Sequence, residues 1–407
     1  MTKANRRDFI KLASTVSTGV LLTGSAATMA RAQEAEIAGP PAQTLEDQFD
    51  TWVELNMDNL NHNIAEVRKK IINGRPIMAV IKCNAYGHGI VEIAKGLALQ
   101  RVEHFAVVKM DEAEHLRHNQ IKGMILNLGP FSPRDARTAI THGISQSVFS
   151  DAVDILNEEA RKLDRKAKVH IKIDTGLGRV GVPYKVADAF VEKVAALSHI
   201  EIEGVLTAMT EDADYNPLQI DRLNAIYETA KSKGIDLGIR HAASSAEVDH
   251  DPNSHLDMVR PGSSLVGLEP MPNMNIKPVL SVRTRVIYVK DMNVGDAIGY
   301  HQSYKIEKPM RIVTLPLGYS DGFALSSVNN AEVIIKGKKY PMIALITANH
   351  TSIDVTGADD IEIGDVVTII GKDGGAEITN TEYSNKTGGH AYHTANCLKP
   401  YLTRLST

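Results

Sequence analysis

The chain has 407 residues, of which 43% are hydrophobic and 23% charged, with a formal net charge of −4 and two cysteines. That is enough chain for two or three domains and a sizeable core, so neither disulfides nor a metal is needed to hold it together. A mildly acidic body speaks against nucleic acid or an anionic membrane as partner.

The first 32 residues form a separate object. "RRDFIK" at 6–11 is a twin-arginine pattern, a mildly apolar stretch follows, and Ala30-Arg31-Ala32 is a small-x-small cleavage site. Basic, apolar, then small is the order of an export signal, so the mature protein is expected in the periplasm. A membrane anchor is the weaker reading, because the stretch is short and rich in Ser, Thr and Gly. Removing 1–32 takes away Lys3, Arg6, Arg7, Lys11, Arg31 and Asp8, which moves the charge from −4 to −8. No later segment is apolar enough over a bilayer's width to span one. Residues 33–50, polar and with Pro-Pro, read as a linker. "TWVELN" at 51–56 alternates as a strand that can pair with the C-terminal domain, and "MDNLNHNIAEVRKKI" has helical spacing.

From residue 76 short apolar runs alternate with helical patterns. "PIMAVIK", "HFAVVK", "MILNLG", "ISQSVFS", "KVHIKID", "IEIEGVLTAM", "LGIRHAAS" and "LDMVRPG" make eight strand candidates between 57 and 275. That rhythm predicts a (β/α)₈ TIM-like barrel of the α/β class. An open doubly wound sheet is disfavoured, since no G-x-G-x-x-G follows the first strand. After 275 the runs "VLSVRTRVIYV", "MRIVTLPL", "AEVIIKG", "YPMIALITA", "TSIDV" and "DVVTII" follow one another with turn residues between them, which predicts an all-β domain over 276–407. The distant Cys83 and Cys397 are read as free.

Barrel enzymes work at the C-terminal ends of their strands. Lys82 ends the first strand. Lys172, Asp174 and Arg179 end or follow the fifth in "KIDTGLGRVG". His241, Ser244 and Ser245 end the seventh, and Arg260, Gly262 and Ser263 the eighth. Small residues and hydroxyls after strands seven and eight suit a phosphate, although Ser-Ser and Pro-Gly-Ser also make ordinary turns. A desolvated lysine is a nucleophilic amine, although a salt bridge to a barrel carboxylate such as Asp174 is the bland alternative. Lysine, cradle and two arginines together suggest pyridoxal phosphate, but barrel physics alone leaves a sugar-phosphate enzyme open.

The motif series "AVIKCNAYGHG", "KIDTGLGRVGV", "HAASSAE", "SHLDMVRPG", "GDAIGYHQSY" and "LPLGYSDGF" resembles that of the alanine racemase family of pyridoxal-phosphate-dependent amino-acid racemases. The export signal makes it most similar to the periplasmic broad-specificity branch. The resemblance implies that Lys82 carries the cofactor and acts as one base, and that Tyr86, Ser245, Gly262 and Ser263 hold its phosphate. It implies that Arg260 faces the pyridine nitrogen and that His241 and Ser244 belong to the same cofactor site. Arg179 would meet the cofactor's phenolic oxygen and the substrate carboxylate, braced by Lys172, often carbamylated at that position. Tyr300 would be the second base, reaching the partner subunit's site in a head-to-tail homodimer. Tyr392 is the candidate for a further phosphate contact.

Three departures from the family pattern follow. Thr207-Ala208-Met209 stands where a Thr-His-Phe-like triplet is usual, Ser244 where asparagine is usual, and Ala348-Asn349 where the family carries methionine before Asp or Asn. If the last loop reaches the partner's site, the smaller Ala348 beside Asn349 leaves room for substrates bulkier than alanine. Two rivals remain: a decarboxylase of basic amino acids on the same fold, and a periplasmic binding module that has lost activity.

Overall fold

The computed structural model describes Phe49–Thr407. The export signal at 1–32 and nearly all of the linker lie outside the described residues.

Strand β1 (Trp52–Leu55) leads into helix α1 (Met57–Lys70), whose start is capped by the Asn56 side chain accepting from Asn59 N. The β/α alternation then runs β2 (Met78–Val80), α2 (Ile90–Leu99), β3 (His104–Val107), α3 (Met110–His118), β4 (Met124–Asn127), α4 (Pro133–His142), β5 (Ser145–Val148), α5 (Val153–Lys162) and β6 (Ala167–Asp174). After the short β7 (Val182–Pro183) come α6 (Ala187–Ala195), β8 (Ile200–Leu206), α7 (Asn216–Ser232), β9 (Ile239–His241), α8 (Ser245–His250) and α9 (Ser263–Val266). The parallel order is β2-β3-β4-β5-β6-β8-β9. The ring closes through bridges from Met258 to His241 and from Val259 to Ile77, with Val80 N donating to Pro261 O at 2.9 Å. The eighth strand is only this long because Pro261 has no N–H to continue a ladder.

Core packing lies on both sides of the ring. Met78, Ala106, Leu126 and Met258 meet inside it, and the helices lay buried faces such as Val153, Leu156 and Ala160 against its outside. Every barrel strand therefore ends at the same mouth, where loops collect the polar side chains.

The C-terminal part contains β10 (Leu280–Arg285), β11 (Tyr288–Met292), β12 (Ala297–Ile298), β13 (Tyr304–Lys305), β14 (Met310–Leu315), β15 (Glu332–Ile335), β16 (Lys338–Ile343), β17 (Thr351–Asp354), β18 (Val366–Asp373), β19 (Ala376–Ile378) and β20 (Thr403–Ser406). As expected, β1 joins this sheet, antiparallel to β10 and parallel to β20. The domain is not all-β, however. Helices α10 (Asn380–Lys386) and α11 (Ala391–Cys397) interrupt it. Their signals are short but present: Thr379 accepts from Glu382 N, and His390 accepts from His393 N, so both starts are capped. Both cysteines are free thiols, as expected.

Candidate active site

Lys82 follows β2, and the next four residues do something L-residues avoid. Cys83, Asn84, Ala85 and Tyr86 have φ of 56°, 56°, 51° and 53°, a complete left-handed turn. Such a turn is disfavoured by roughly 1–2 kcal/mol per residue, so its surroundings must over-determine it. They do. Glu112 accepts from Asn84 N at 3.1 Å, Asn84 Oδ1 accepts from Ile90 N at 2.9 Å, and the buried His88 ring bonds Tyr86 O at 3.0 Å. Arg404 donates to Gly87 O from Nη2 at 2.9 Å. A Cβ on Gly87 would sit 1.9 Å from Ala395 O, so only glycine allows α11 to press on this turn. The turn points Lys82 and Tyr86 into a cavity of about 600 Å³.

That cavity is lined by Lys82, Tyr86, Lys172, Arg179, Ser244, Ser245, Arg260, Gly262, Ser263 and Tyr392, which brings ten of the expected residues together. Its far end is a cradle of small groups. Ser245 Oγ accepts from Gly262 N at 2.9 Å and from Ser264 N at 3.2 Å. A Cβ on Gly262 would lie 2.5 Å from Tyr86 Oη, so glycine is what lets the phenol reach this backbone. Tyr392 stacks edge-on against Tyr86, with ring centroids 5.7 Å apart, and its hydroxyl pairs with Ser263. Ser244 also serves ordinary turn chemistry: it caps α8, accepting from Ala246 N at 3.2 Å, while its hydroxyl donates to Glu211.

Below the cavity Arg260 is buried and spends its donors on fixed acceptors. Nη2 donates to Thr207 O at 2.6 Å and to Ala242 O at 2.9 Å, and Nη1 meets His241 Nδ1 at 3.1 Å. A guanidinium can only donate, so His241 Nδ1 accepts and Nε2 carries the proton. Nε2 then donates to His170 Nδ1 at 2.9 Å, which leaves the proton of His170 on Nε2, a nitrogen 3.8 Å from the Glu203 carboxylate oxygen. Both rings are neutral: burial, then Arg260, then His170 push His241 well below its usual value, and burial above all pushes His170 down to about 4. Burial also brings Arg260 down to about 10. His241 therefore stands behind the site, outside the cavity lining, and positions Arg260.

Lys172 is 8% exposed. Burial first, then Arg260, Arg179 and Lys82, push its amine down to about 8, against a smaller opposing pull from Asp174. The suspected salt bridge from Lys82 to Asp174 is not made. The Asp174 carboxylate instead accepts from Gly176 N and Gly178 N, both at 3.0 Å, and so shapes the loop that carries Arg179.

Tyr300, Ala348 and Asn349 are not in this cavity. Tyr300 stands at the tip of the β12–β13 hairpin, 72% exposed. Asn349 donates to Ser320 Oγ at 3.0 Å, and Ala348 O accepts from Ser320. The cavity holds others that sequence reasoning missed: Glu211, Glu269, Met271 and Asn396. Glu112 had a partial signal: it is the third residue of α3, where a carboxylate can reach back to the N-cap backbone, and it accepts from Val108 N and Lys109 N. Arg404 had none, because the Gly87 carbonyl that it holds lies 317 residues away in the chain.

The residues fit pyridoxal phosphate: an amine at one end of the cavity, a small-residue oxyanion cradle that a single Cβ would fill, and a buried arginine beneath. Fold and site thus define a barrel enzyme that holds a phosphate-bearing group beside a lysine amine, completed by a β domain. The family models "Alanine racemase, N-terminal domain" and "Alanine racemase, C-terminal domain" match residues 55–270 and 279–406. An alanine racemase of Symbiobacterium thermophilum is 36% identical over 83% of this chain and 92% of its own, and one of Methanococcus maripaludis is 34% identical over 83% and 93%. Among solved structures, alanine racemase of Clostridium difficile 630 superposes with a TM-score of 0.82 at 29% identity, covering 88% of this chain and 95% of its own. The chain belongs to the alanine racemase family, and is a pyridoxal-phosphate-dependent amino-acid racemase.

Proposed function

We propose that this racemase interconverts the L and D forms of a broad range of free amino acids bulkier than alanine, in the periplasm, as a head-to-tail homodimer with shared sites. One observation carries the two-base reading. Lys82 lines the cavity, while Tyr300 projects from the β12–β13 hairpin, 72% exposed and away from its own protomer's cavity. A single protomer serves one face of a substrate carbon; Tyr300 of the partner subunit serves the other.

When bound, pyridoxal phosphate makes an amino acid's Cα proton acidic by delocalising the electrons left behind. The residues that would hold it are Lys82 at the reactive carbon, Tyr86, Ser245, Gly262, Ser263 and Tyr392 at the phosphate, and Arg260 at the pyridine nitrogen. Lys82 moves the proton on one face and Tyr300 on the other. Arg179, exposed at the cavity wall and without a side-chain hydrogen bond to the described residues, orients the substrate carboxylate. Lys172, partly deprotonated at neutral pH, is the amine that takes up carbon dioxide as a carbamate and so offsets the surrounding positive charge. Ala208 and Met209 line the cavity where the family usually places a histidine and an aromatic ring, which supports larger side chains.

The test uses purified mature protein, a panel of L-amino acids in heavy water, and chiral separation. D-enantiomers carrying deuterium at Cα are expected, and Lys82→Ala abolishes them. Cofactor binding without Cα exchange, or carbon dioxide release, would replace this reading with a binding module or a decarboxylase. Mixing Lys82→Ala and Tyr300→Phe chains restores activity if sites are shared, because one hybrid site is intact. No recovery in hybrids shown to have formed overturns the shared site. For location, Arg6→Lys with Arg7→Lys leaves active enzyme in the cytoplasm; unchanged periplasmic activity contradicts export by that route.

A further inference from the structure

At the foot of the barrel, opposite the mouth, two neighbouring helices end on histidines. His118 is the last residue of α3 and His142 the last of α4. Glu114 lies one turn before His118, on the same face of α3. One ligating atom from each of Glu114, His118 and His142 lies within 4.8 Å of the other two. The imidazoles meet edge to face, with centroids 5.6 Å apart at 90°. None of the three side chains makes a hydrogen bond or ion pair with the described residues. From this geometry we propose that Glu114, His118 and His142 bind one divalent transition ion of the zinc class, which staples α3 to α4.

The chemistry favours such an ion. Two imidazoles and a carboxylate suit zinc, copper or nickel better than calcium or magnesium, which take all-oxygen shells. Tetrahedral zinc accepts three protein ligands at about 2.0–2.2 Å and a water at the fourth position, which the exposure of His118 allows. The three atoms already lie within 4.8 Å of one another, little more than twice a zinc–ligand distance of about 2.0–2.2 Å. Both histidines also sit at helix C-termini, where the negative end of the macrodipole attracts a cation.

The backbone under the site is already tied. Arg117 Nε donates to His142 O at 3.0 Å, and its Nη2 donates to Gly143 O at 3.0 Å and Gly123 O at 2.9 Å. Nη1 donates to Ile121 O at 2.8 Å. One guanidinium thus locks the end of α4 onto the end of α3, and its charge is turned towards four carbonyls. An ion gains from that pre-organisation, since the relative position of the two helices need not be restricted on binding. The site stands apart from the reacting atoms, so its occupancy affects stability and leaves turnover unchanged.

The test is a titration of the tag-free, cofactor-loaded enzyme with Zn²⁺ by calorimetry, with Co²⁺ spectroscopy for geometry. One equivalent per chain is expected, together with Co²⁺ absorption typical of low coordination and a higher unfolding temperature. Loss of second-layer partners alone weakens metal sites about 10–100-fold, so His118→Ala and His142→Ala should each weaken binding at least about tenfold. Glu114→Gln should weaken it while keeping the fold, as checked by unaltered racemase activity. Absence of one-equivalent binding, or binding that survives either histidine substitution, overturns the site.

Discussion

Gly262→Ala is the sharpest probe of the cavity. The added methyl would meet Tyr86 Oη at 2.5 Å, Val80 O at 3.0 Å and Tyr86 Cε2 at 3.1 Å. Ordinary contacts to a Cβ begin near 3.4 Å, so the phenol must retreat by about an ångström or the eighth strand must move outwards. Neither is easy. Tyr86 is 6% exposed, its backbone is fixed in the left-handed turn, and Tyr392 packs against its ring. Val80 O belongs to barrel strand β2. Overpacking of this kind is destabilising by about 1–3 kcal/mol. Because Tyr86 and the Gly262 amide are both cradle groups, much of that penalty falls on cofactor binding, where each 1.4 kcal/mol is a factor of ten. A loss of roughly 10–100-fold in affinity is expected. The assay is titration of cofactor-free protein with pyridoxal phosphate, followed by the absorbance of the bound form, with thermal unfolding alongside. Gly375→Ala is the control, since nothing lies within 4 Å of the added methyl and its backbone is unstrained. Wild-type affinity and stability in Gly262→Ala would refute the cradle.

Further expectations concern charge, positioning and size. Lys172 has its amine pushed down to about 8, so above that pH the unfolded chain binds more protons than the folded one and stability climbs until the ordinary lysine value near 10.5. Lys172→Met should flatten that climb and raise stability at pH 7 by up to about 3 kcal/mol in carbon-dioxide-free buffer, read by denaturant unfolding of cofactor-free protein across pH; an unchanged climb would contradict it. Arg404→Ala should orphan Gly87 O and three further carbonyls, at Lys399, Pro400 and Leu402. Turnover should fall and proteolysis of the lysine turn should rise, by more than Arg404→Lys causes; equal effects of the two variants would deny the fork a role. Ala208→His should shift preference towards alanine, measured as the ratio of kcat/KM for alanine to that for a bulky substrate; an unchanged ratio would remove Ala208 from specificity.

Local patterns made the barrel legible. Strand-length apolar runs such as "PIMAVI" and "MILNLG" alternate with capped helices, and hydrophobic burial acts on that spacing directly. The strand-end positions of Lys82, Arg179, Ser245 and Arg260 could be named because a parallel barrel brings its strand ends to one mouth. Helices α10 and α11 were less visible, being seven residues each, too short for periodicity to stand out from turns. Only their caps betrayed them, and α11 matters because it delivers Tyr392.

By itself the amino-acid order determined which side chains could meet at a mouth, since period and turn chemistry are properties of neighbouring residues. Contacts between distant segments were decided by the tertiary structure alone. Arg404 reaching Gly87, His170 standing behind His241, and His142 lying against His118 link positions between 24 and 317 residues apart. No local rule encodes such pairs, because each depends on where whole strands and helices come to rest. The left-handed turn after Lys82 is the clearest case. Locally disfavoured at four successive residues, it persists because Glu112, Arg404 and α11 hold it from three remote parts of the chain.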